Sequence, residues 1–162
     1  MSIGVIDNSQ VVPRSVLLVL RVYLGVIFLV AVSAKLSAHP SFATLLPAIL
    51  AQGALQHGHP FYQTFIRGVV LPHTSAVAGL VMSGELLTGL SLLAGAATRA
   101  GCLGAMFLTL NYMFSKGAWF WWPSSNDAAF FFIALTLALG SAGRVFGVDQ
   151  YLARRWPAVP AW

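Results

Sequence analysis

Four long segments of this sequence are almost free of charged side chains, at about residues 16–36, 74–97, 99–116 and 127–143. A helix needs about 20 residues to cross the apolar core of a bilayer, so the last two segments need their flanking residues to reach that length. Only 8% of the residues are charged, whereas a soluble domain carries about 25%. We therefore predict a single integral membrane domain over residues 1–162.

The apolar segments favour an all-α membrane protein, because they lack the period-two alternation of strands and are rich in Leu, Ala and Met. The predicted fold is a four-transmembrane-helix bundle with a long outer loop between helices 1 and 2. Within that loop, residues 41–56 (SFATLLPAILAQGALQ) indicate a short amphipathic helix lying on the membrane. Pro47 is expected to break or start this helix.

The basic residues predict the orientation, because cytoplasmic loops carry an excess of Lys and Arg. On one side of an even-numbered bundle lie Arg14, Arg99, Arg144, Arg154 and Arg155, and on the other lie Lys35, Arg67 and Lys116. The larger set predicts that both termini are cytoplasmic, in a multi-pass protein of a bacterial inner (cell) membrane.

Several other classes of function are disfavoured. The net charge of +5 does not indicate a nucleic-acid partner, because the basic residues are scattered along the chain. A lone cysteine, Cys102, excludes an intrachain disulfide or thiol relay. The His57 and His59 pair in QHGHP is weak evidence for a ligand set, so we predict no metal site.

Ionisable side chains inside apolar helices are costly, and each should face the bundle interior or an interface. Arg21 and Lys35 lie fourteen residues apart in the first segment, close to four helical turns, and therefore share one face. That face is expected to point inward. Arg21 has an alternative, since it lies near the helix start and its long side chain could reach the headgroups.

Glu85 lies about 16 Å from either end of its segment, so its carboxylate must be protonated, paired or hydrated. Asn111 in the third segment is a candidate hydrogen-bond partner. Lys35 is expected to lie about 10 to 15 Å nearer the outer surface than Glu85. We therefore expect a polar cavity around Glu85 rather than a tight ion pair. Asp127 follows Ser and Asn residues, which leaves a helix-capping role and a site role equally open.

Three stretches resemble the DoxX/DoxD family. They are RVYLGVIFLVAVSAKL at 21–36, GELLTGLSLLAGAATRAG at 84–101 and NDAAFFFIALTLALGSAGRVFGVD at 126–149. The resemblance implies a four-helix membrane subunit, and some members are similar to the small subunit of thiosulfate:quinone oxidoreductase. The polar residues that match are Arg21, Lys35, Glu85, Asn126, Asp127, Arg144 and Asp149.

The resemblance leads to two hypotheses of function. In the first, the chain is the membrane subunit of a quinone-linked oxidoreductase complex, with Glu85, Lys35 and Asp127 as catalytic candidates. Arg21 and Asn111 would then bind the quinone or line a polar cavity. The sequence has no flavin, haem or Fe–S motif. Electron transfer would therefore need a cofactor held by other membrane or periplasmic subunits, or the bound quinone itself. In the second, the chain is a non-catalytic anchor or assembly subunit of a larger membrane complex.

The predicted orientation can be tested by cysteine labelling in a Cys102→Ala background. Cysteine introduced at position 57 or 119 should react with an impermeant thiol reagent added to intact cells, because those positions are outside. Cysteine at position 155 should react only after the cells are opened. The reverse pattern would overturn the orientation.

Overall fold

The computed structural model describes residues 14–122 and 125–156. That part of the chain is helical, with short turns and no strand. Its α-helices are α1 (Arg14–Leu36), α2 (Phe42–Gln52), α3 (Ala54–His57), α4 (Pro60–Phe65), α5 (Thr74–Ala94), α6 (Thr98–Ser115), α7 (Asn126–Leu139) and α8 (Val148–Arg155).

The four longest helices pack in a ring, with α1 against α5, α5 against α6, α6 against α7, and α7 against α1. Two described helical stretches are long and apolar enough to cross a membrane, namely Ser15–Leu36 and the continuous stretch Pro60–Ala94. Helix α7 is apolar but shorter. An all-helical membrane fold is thus supported, while membrane crossing by all four helices stays a prediction.

The segment predicted as a long outer loop is largely helical. It contains α2, α3 and α4, and α4 continues through a π-helical turn (Ile66–Val70) and a 3-10 turn (Leu71–His73) into α5. Pro72 explains this irregularity, since proline has no N–H to donate and its ring crowds the carbonyl four residues earlier. The chain therefore reaches α5 as one irregular helix.

The prediction for Pro47 was wrong, because this proline lies inside α2 and neither starts nor breaks it. The helix begins after Ser41, whose carbonyl accepts the N–H groups of Thr44 and Leu45. Phe42 and Leu46 are buried against Ala78 of α5. This apolar packing offsets the hydrogen bond that Pro47 cannot donate.

Helices α1 and α5 are antiparallel, and their contacts fix a register. Gly25 packs against Leu93, and a Cβ added at Gly89 would meet Leu29 and the carbonyl of Gly25. Continuing this register places Leu36, the last residue of α1, level with residue 82. The first eight residues of α5 therefore extend about 12 Å beyond α1, and α2 packs against this extension.

The turn between α5 and α6 ends the second apolar segment earlier than predicted, at Ala94 rather than residue 97. Gly95 adopts the left-handed conformation (φ 63°) that commonly ends a helix. Helix α7 likewise ends at Leu139 rather than near residue 143, and Gly140 follows it.

Asp149 ties this turn to α8. Its fully buried carboxylate accepts the N–H groups of Ala97 (2.7 Å) and Thr98 (2.8 Å) at the start of α6. Its own N–H donates to the carbonyl of Gly95 at 2.8 Å. An acid at a helix N-terminus accepts hydrogen bonds from the first N–H groups, which have no partner within the helix, and it complements the helix dipole. This contact therefore joins α8 to the start of α6 at one end of the bundle.

Asp149→Asn should lower the free energy of unfolding by about 1 to 3 kcal/mol, because Ala97 and Thr98 bond different oxygens and a donor NH2 group would replace one of them. Unfolding of the purified protein in mixed micelles of sodium dodecyl sulfate and a mild detergent measures this loss. The control is Asp127→Asn, since the Lys116 partner of Asp127 is largely exposed and such pairs contribute about 0 to 1 kcal/mol. Equal losses in the two variants would contradict the assignment.

Candidate functional site

Glu85 is at the centre of a cluster of three polar side chains from three helices. The Lys35 ammonium of α1 donates to both of its carboxylate oxygens, at 2.7 and 2.9 Å. The Tyr112 hydroxyl of α6 donates to Oε1 at 2.5 Å. Glu85 has no exposed surface, while the Lys35 side chain is 21% exposed. The carboxylate is therefore fully paired inside the bundle.

The prediction of a polar cavity in place of a tight ion pair was wrong. It assumed that the first two helices end at the same level on the outer side. In the observed register, residue 33 of α1 lies opposite Glu85, so Lys35 is only about 3 Å further along the axis. Its side chain spans that offset and reaches the carboxylate directly.

The inward face predicted for the first helix is confirmed. Arg21, Gly25, Phe28 and Val32 are all buried, and they share a face with Lys35. Arg21 is 1% exposed, so its side chain is directed into the bundle. Its guanidinium donates to the carbonyl of Ala142 at 2.8 Å.

Beside the cluster lies a cavity of about 360 Å³ between α2, the stretch from α4 into α5, and α6. Its walls are mainly apolar, and its polar lining residues are Lys35, Tyr62, Asn111, Tyr112 and Ser115. A concave apolar site with a few grouped polar side chains is typical of small-molecule binding sites.

The rim of the cavity includes apolar side chains on the outer surface of the protein. Leu80 of α5 is 73% exposed and Phe107 of α6 is 66% exposed, and both line the cavity. Phe65 and Val69, on the stretch that leads into α5, are also exposed lining residues. The cavity therefore borders the apolar lateral surface.

Asn111 does not contact Glu85 as the sequence suggested. It accepts a hydrogen bond from the Tyr62 hydroxyl at 2.9 Å and donates to the carbonyl of Phe107 at 2.7 Å. Its side chain still lines the same cavity as Lys35 and Tyr112.

Two other candidate residues lie outside the cavity lining. Arg21 is held near the Asp149 end of the bundle, where a Cβ on Gly95 or Gly147 would collide with its guanidinium. Asp127, in the first turn of α7, accepts a hydrogen bond from Lys116 at 2.7 Å. The structure thus brings Glu85, Lys35 and Asn111 to one site but leaves Arg21 and Asp127 apart from it.

The histidines do not form a ligand set. The His59 ring packs 4.4 Å from the Trp119 ring, between centroids, and hydrogen-bonds the carbonyl of Ala118. Within residues 14–122 and 125–156, no group of three or more His, Cys, Asp or Glu side chains could hold a metal ion.

Comparison with protein families gives one decisive match. The sequence profile of DoxX matches residues 16–118, which is more than half of the chain. The chain belongs to the DoxX family. The matched range contains α1 from residue 16 onward and all of α2 to α6, and with them every residue that lines the cavity. Comparisons with curated proteins and with solved structures give no match.

Residues 119–156 of this DoxX protein, including Asp127 and Asp149, follow the matched range. The stretches 21–36 and 84–101 of the resemblance lie within the matched range, and the stretch 126–149 follows it. The cavity and the Glu85 cluster do not depend on that stretch.

Sequence reasoning missed Tyr62 and Tyr112. A tyrosine within an apolar membrane helix was the available signal, because its buried hydroxyl needs a hydrogen-bond partner. Tyr112 directly follows Asn111, and one residue rotates the side chain by about 100° around the helix. Choosing between them required the rotation of α6, which only packing decides.

Lys35→Met should lower the free energy of unfolding by about 3 kcal/mol, because it leaves a buried carboxylate without its cation. Adding Glu85→Gln should recover most of that loss by removing the charge. Mixed-micelle unfolding measures both effects. Lys116→Met is the matched control and should cost about 1 kcal/mol or less, since Lys116 is mostly exposed. A double variant no more stable than Lys35→Met alone would show that the pair is not what stabilises this site.

Proposed function

We propose that this DoxX protein is the membrane subunit of a quinone-linked oxidoreductase complex, and that its cavity binds the quinone. The observation that carries the proposal is the apolar cavity of about 360 Å³ with Lys35, Tyr112 and Asn111 in its wall. The setting is the cell membrane, with both termini cytoplasmic as the basic residues predict.

The chemistry of the cavity suits a neutral, carbonyl-bearing ring. The ammonium of Lys35 has three N–H groups, two of which are directed to Glu85. The third can donate to a carbonyl oxygen. The amide of Asn111 likewise has a second N–H beyond the one that bonds Phe107. Two donors in an apolar site match the two carbonyl oxygens and apolar ring of a quinone.

The balance of charge favours a neutral ligand over an anionic one. Lys35 is already paired with Glu85, so binding of an anion would add a net negative charge to an apolar region. Burying a net charge in such a region is costly. Lys35 is therefore better suited to contact a neutral quinone oxygen than to steer an anionic substrate.

The exposed rim supports entry from the lipid. Phe65, Leu80 and Phe107 are exposed apolar side chains that line the cavity, and such side chains on a membrane protein are compatible with lipid. A quinone carries its long apolar tail within the bilayer. Its ring can enter sideways between α5 and α6 while the tail stays among the acyl chains.

Reduction of a quinone takes up two electrons and two protons. The electrons would come from a cofactor held by a partner subunit. The chain's own residues bind the ring and deliver protons. Lys35 Nζ holds a proton at the ligand oxygen, and Glu85, which is bonded to both Lys35 and Tyr112, exchanges protons with them. Asp127 has no part in this step, because its carboxylate is hydrogen-bonded to Lys116 rather than to Lys35 or Tyr112, and it does not line the cavity.

Binding can be tested with a short-tailed quinone added to the purified chain in detergent and followed by calorimetry. Val81→Trp should abolish binding, because Val81 lines the cavity and an indole would fill it. Leu87→Trp is the matched control, since it adds the same side chain to α5 at an exposed position outside the lining. Asn111→Leu should weaken binding about tenfold, through loss of one hydrogen bond.

Glu85→Gln separates the catalytic role from the anchor role. It keeps the shape of the side chain but removes proton exchange, so quinone turnover by the assembled complex should fall sharply while binding and assembly persist. If the chain is only an anchor, Glu85→Gln leaves the quinone turnover of the assembled complex unchanged. Glu85→Leu would then weaken assembly by about 1 to 2 kcal/mol. Normal turnover in the Gln variant, in a complex that reduces quinone, defeats the proton-transfer role.

A further inference from the structure

Helix α8 has two exposed flanks of different chemistry. Successive residues rotate by about 100° around a helix, and the buried Asp149 marks the face that contacts the bundle. Val148, Tyr151 and Arg155 share one flank at spacings of three and four residues, and all three are exposed. The first two are apolar or aromatic, so this flank presents apolar surface with one cation beside it.

The opposite flank is polar. Gln150 and Arg154 lie four residues apart on it, and both are exposed. Val148 and Gln150 thus lie on either side of the buried Asp149. A short helix with one polar flank, one apolar flank and basic residues is typical of segments that lie in a membrane interface.

The hydrogen bonds of Asp149 fix the position of α8 at one end of the bundle. The hydrogen bonds of Asp149 to Gly95, Ala97 and Thr98 hold α8 across the turn between α5 and α6. This is the end of the bundle at which a membrane-crossing α5 leaves the apolar core. The side chain of Phe146, just before α8, is 82% exposed. Exposed aromatic and apolar side chains at this level can enter the boundary between headgroups and acyl chains.

The exposed charges of α8 are all positive. Both arginines of α8, Arg154 and Arg155, are exposed at this end of the bundle. The acid of α8 is Asp149, and its carboxylate is buried against backbone N–H groups. The exposed surface of α8 is therefore positive, which complements anionic lipid headgroups.

We propose that α8 is an interfacial anchor for anionic lipid headgroups. Phe146, Val148 and Tyr151 insert at the boundary of the acyl chains, and the Arg155 guanidinium, on the same flank, contacts a lipid phosphate. Arg154 faces water and contributes only to the overall positive field. This anchor is independent of the quinone site, because it uses none of the residues that line the cavity.

The depth of α8 can be measured with the full chain in vesicles of phosphatidylcholine and phosphatidylglycerol. In a Cys102→Ala background, Val148→Cys and Gln150→Cys each carry a fluorescent label. The label at position 148 should be quenched by a nitroxide on the lipid acyl chain and shielded from iodide. The label at position 150 should show the reverse. If iodide quenches both labels equally, both flanks face water, where a partner protein could bind, and the lipid anchor is wrong.

The choice of lipid is tested by Arg155→Gln with Arg154→Gln as its matched control. Quenching of the label at position 148 by headgroup-defined nitroxide lipids gives the association of phosphatidylglycerol relative to phosphatidylcholine. Arg155→Gln should reduce this preference about fivefold, the effect of one basic residue near an anionic surface, and Arg154→Gln should reduce it less. Equal association of the two lipids with the unmodified helix would overturn the specificity for anionic headgroups.

Discussion

A fully buried carboxylate in an apolar helix governs the packing of this protein. Glu85 meets Lys35 from α1 and Tyr112 from α6, and removing either partner would leave part of its charge uncompensated where water is scarce. Sliding α1 against α5 by one turn would move Lys35 about 5 Å along the axis. The ion pair thus favours one register, and the small residues Gly25 and Gly89 let the backbones come close enough to adopt it.

The same register creates the cavity. Since α1 ends level with the middle of α5, the first two turns of α5 have no partner from α1. Helix α2 packs against them instead. Space remains between α2, the stretch from α4 into α5, and α6, and it lies beside Lys35 and Tyr112. The Lys35–Glu85 ion pair and the cavity therefore both follow from the axial offset between α1 and α5.

The two ends of the bundle use charge differently. Towards the end of the bundle that α2 covers, Lys35 and Glu85 pair beside a cavity of ligand size. At the other end, Arg21 and Asp149 bond backbone groups. Arg21 donates to the carbonyl of Ala142, and Asp149 accepts a hydrogen bond from the backbone at the start of α6. The first arrangement leaves donors that can face a ligand. In the second, the bonds to backbone groups join α1, α6 and α8, which suits a structural role.

The sequence by itself determined the membrane character, the approximate positions of the long helices, the inward face of α1 and the need of Glu85 for a partner. These follow from local composition, helical periodicity and the cost of a charge in an apolar segment. Only the tertiary structure decided that Glu85 pairs with Lys35 and Tyr112, that Asn111 hydrogen-bonds Tyr62, and that residues 42–73 are largely helical. Those outcomes depend on the axial offset of α1 and α5 and on the rotation of α6. Both are set by contacts between segments far apart in the chain, and no local pattern records them.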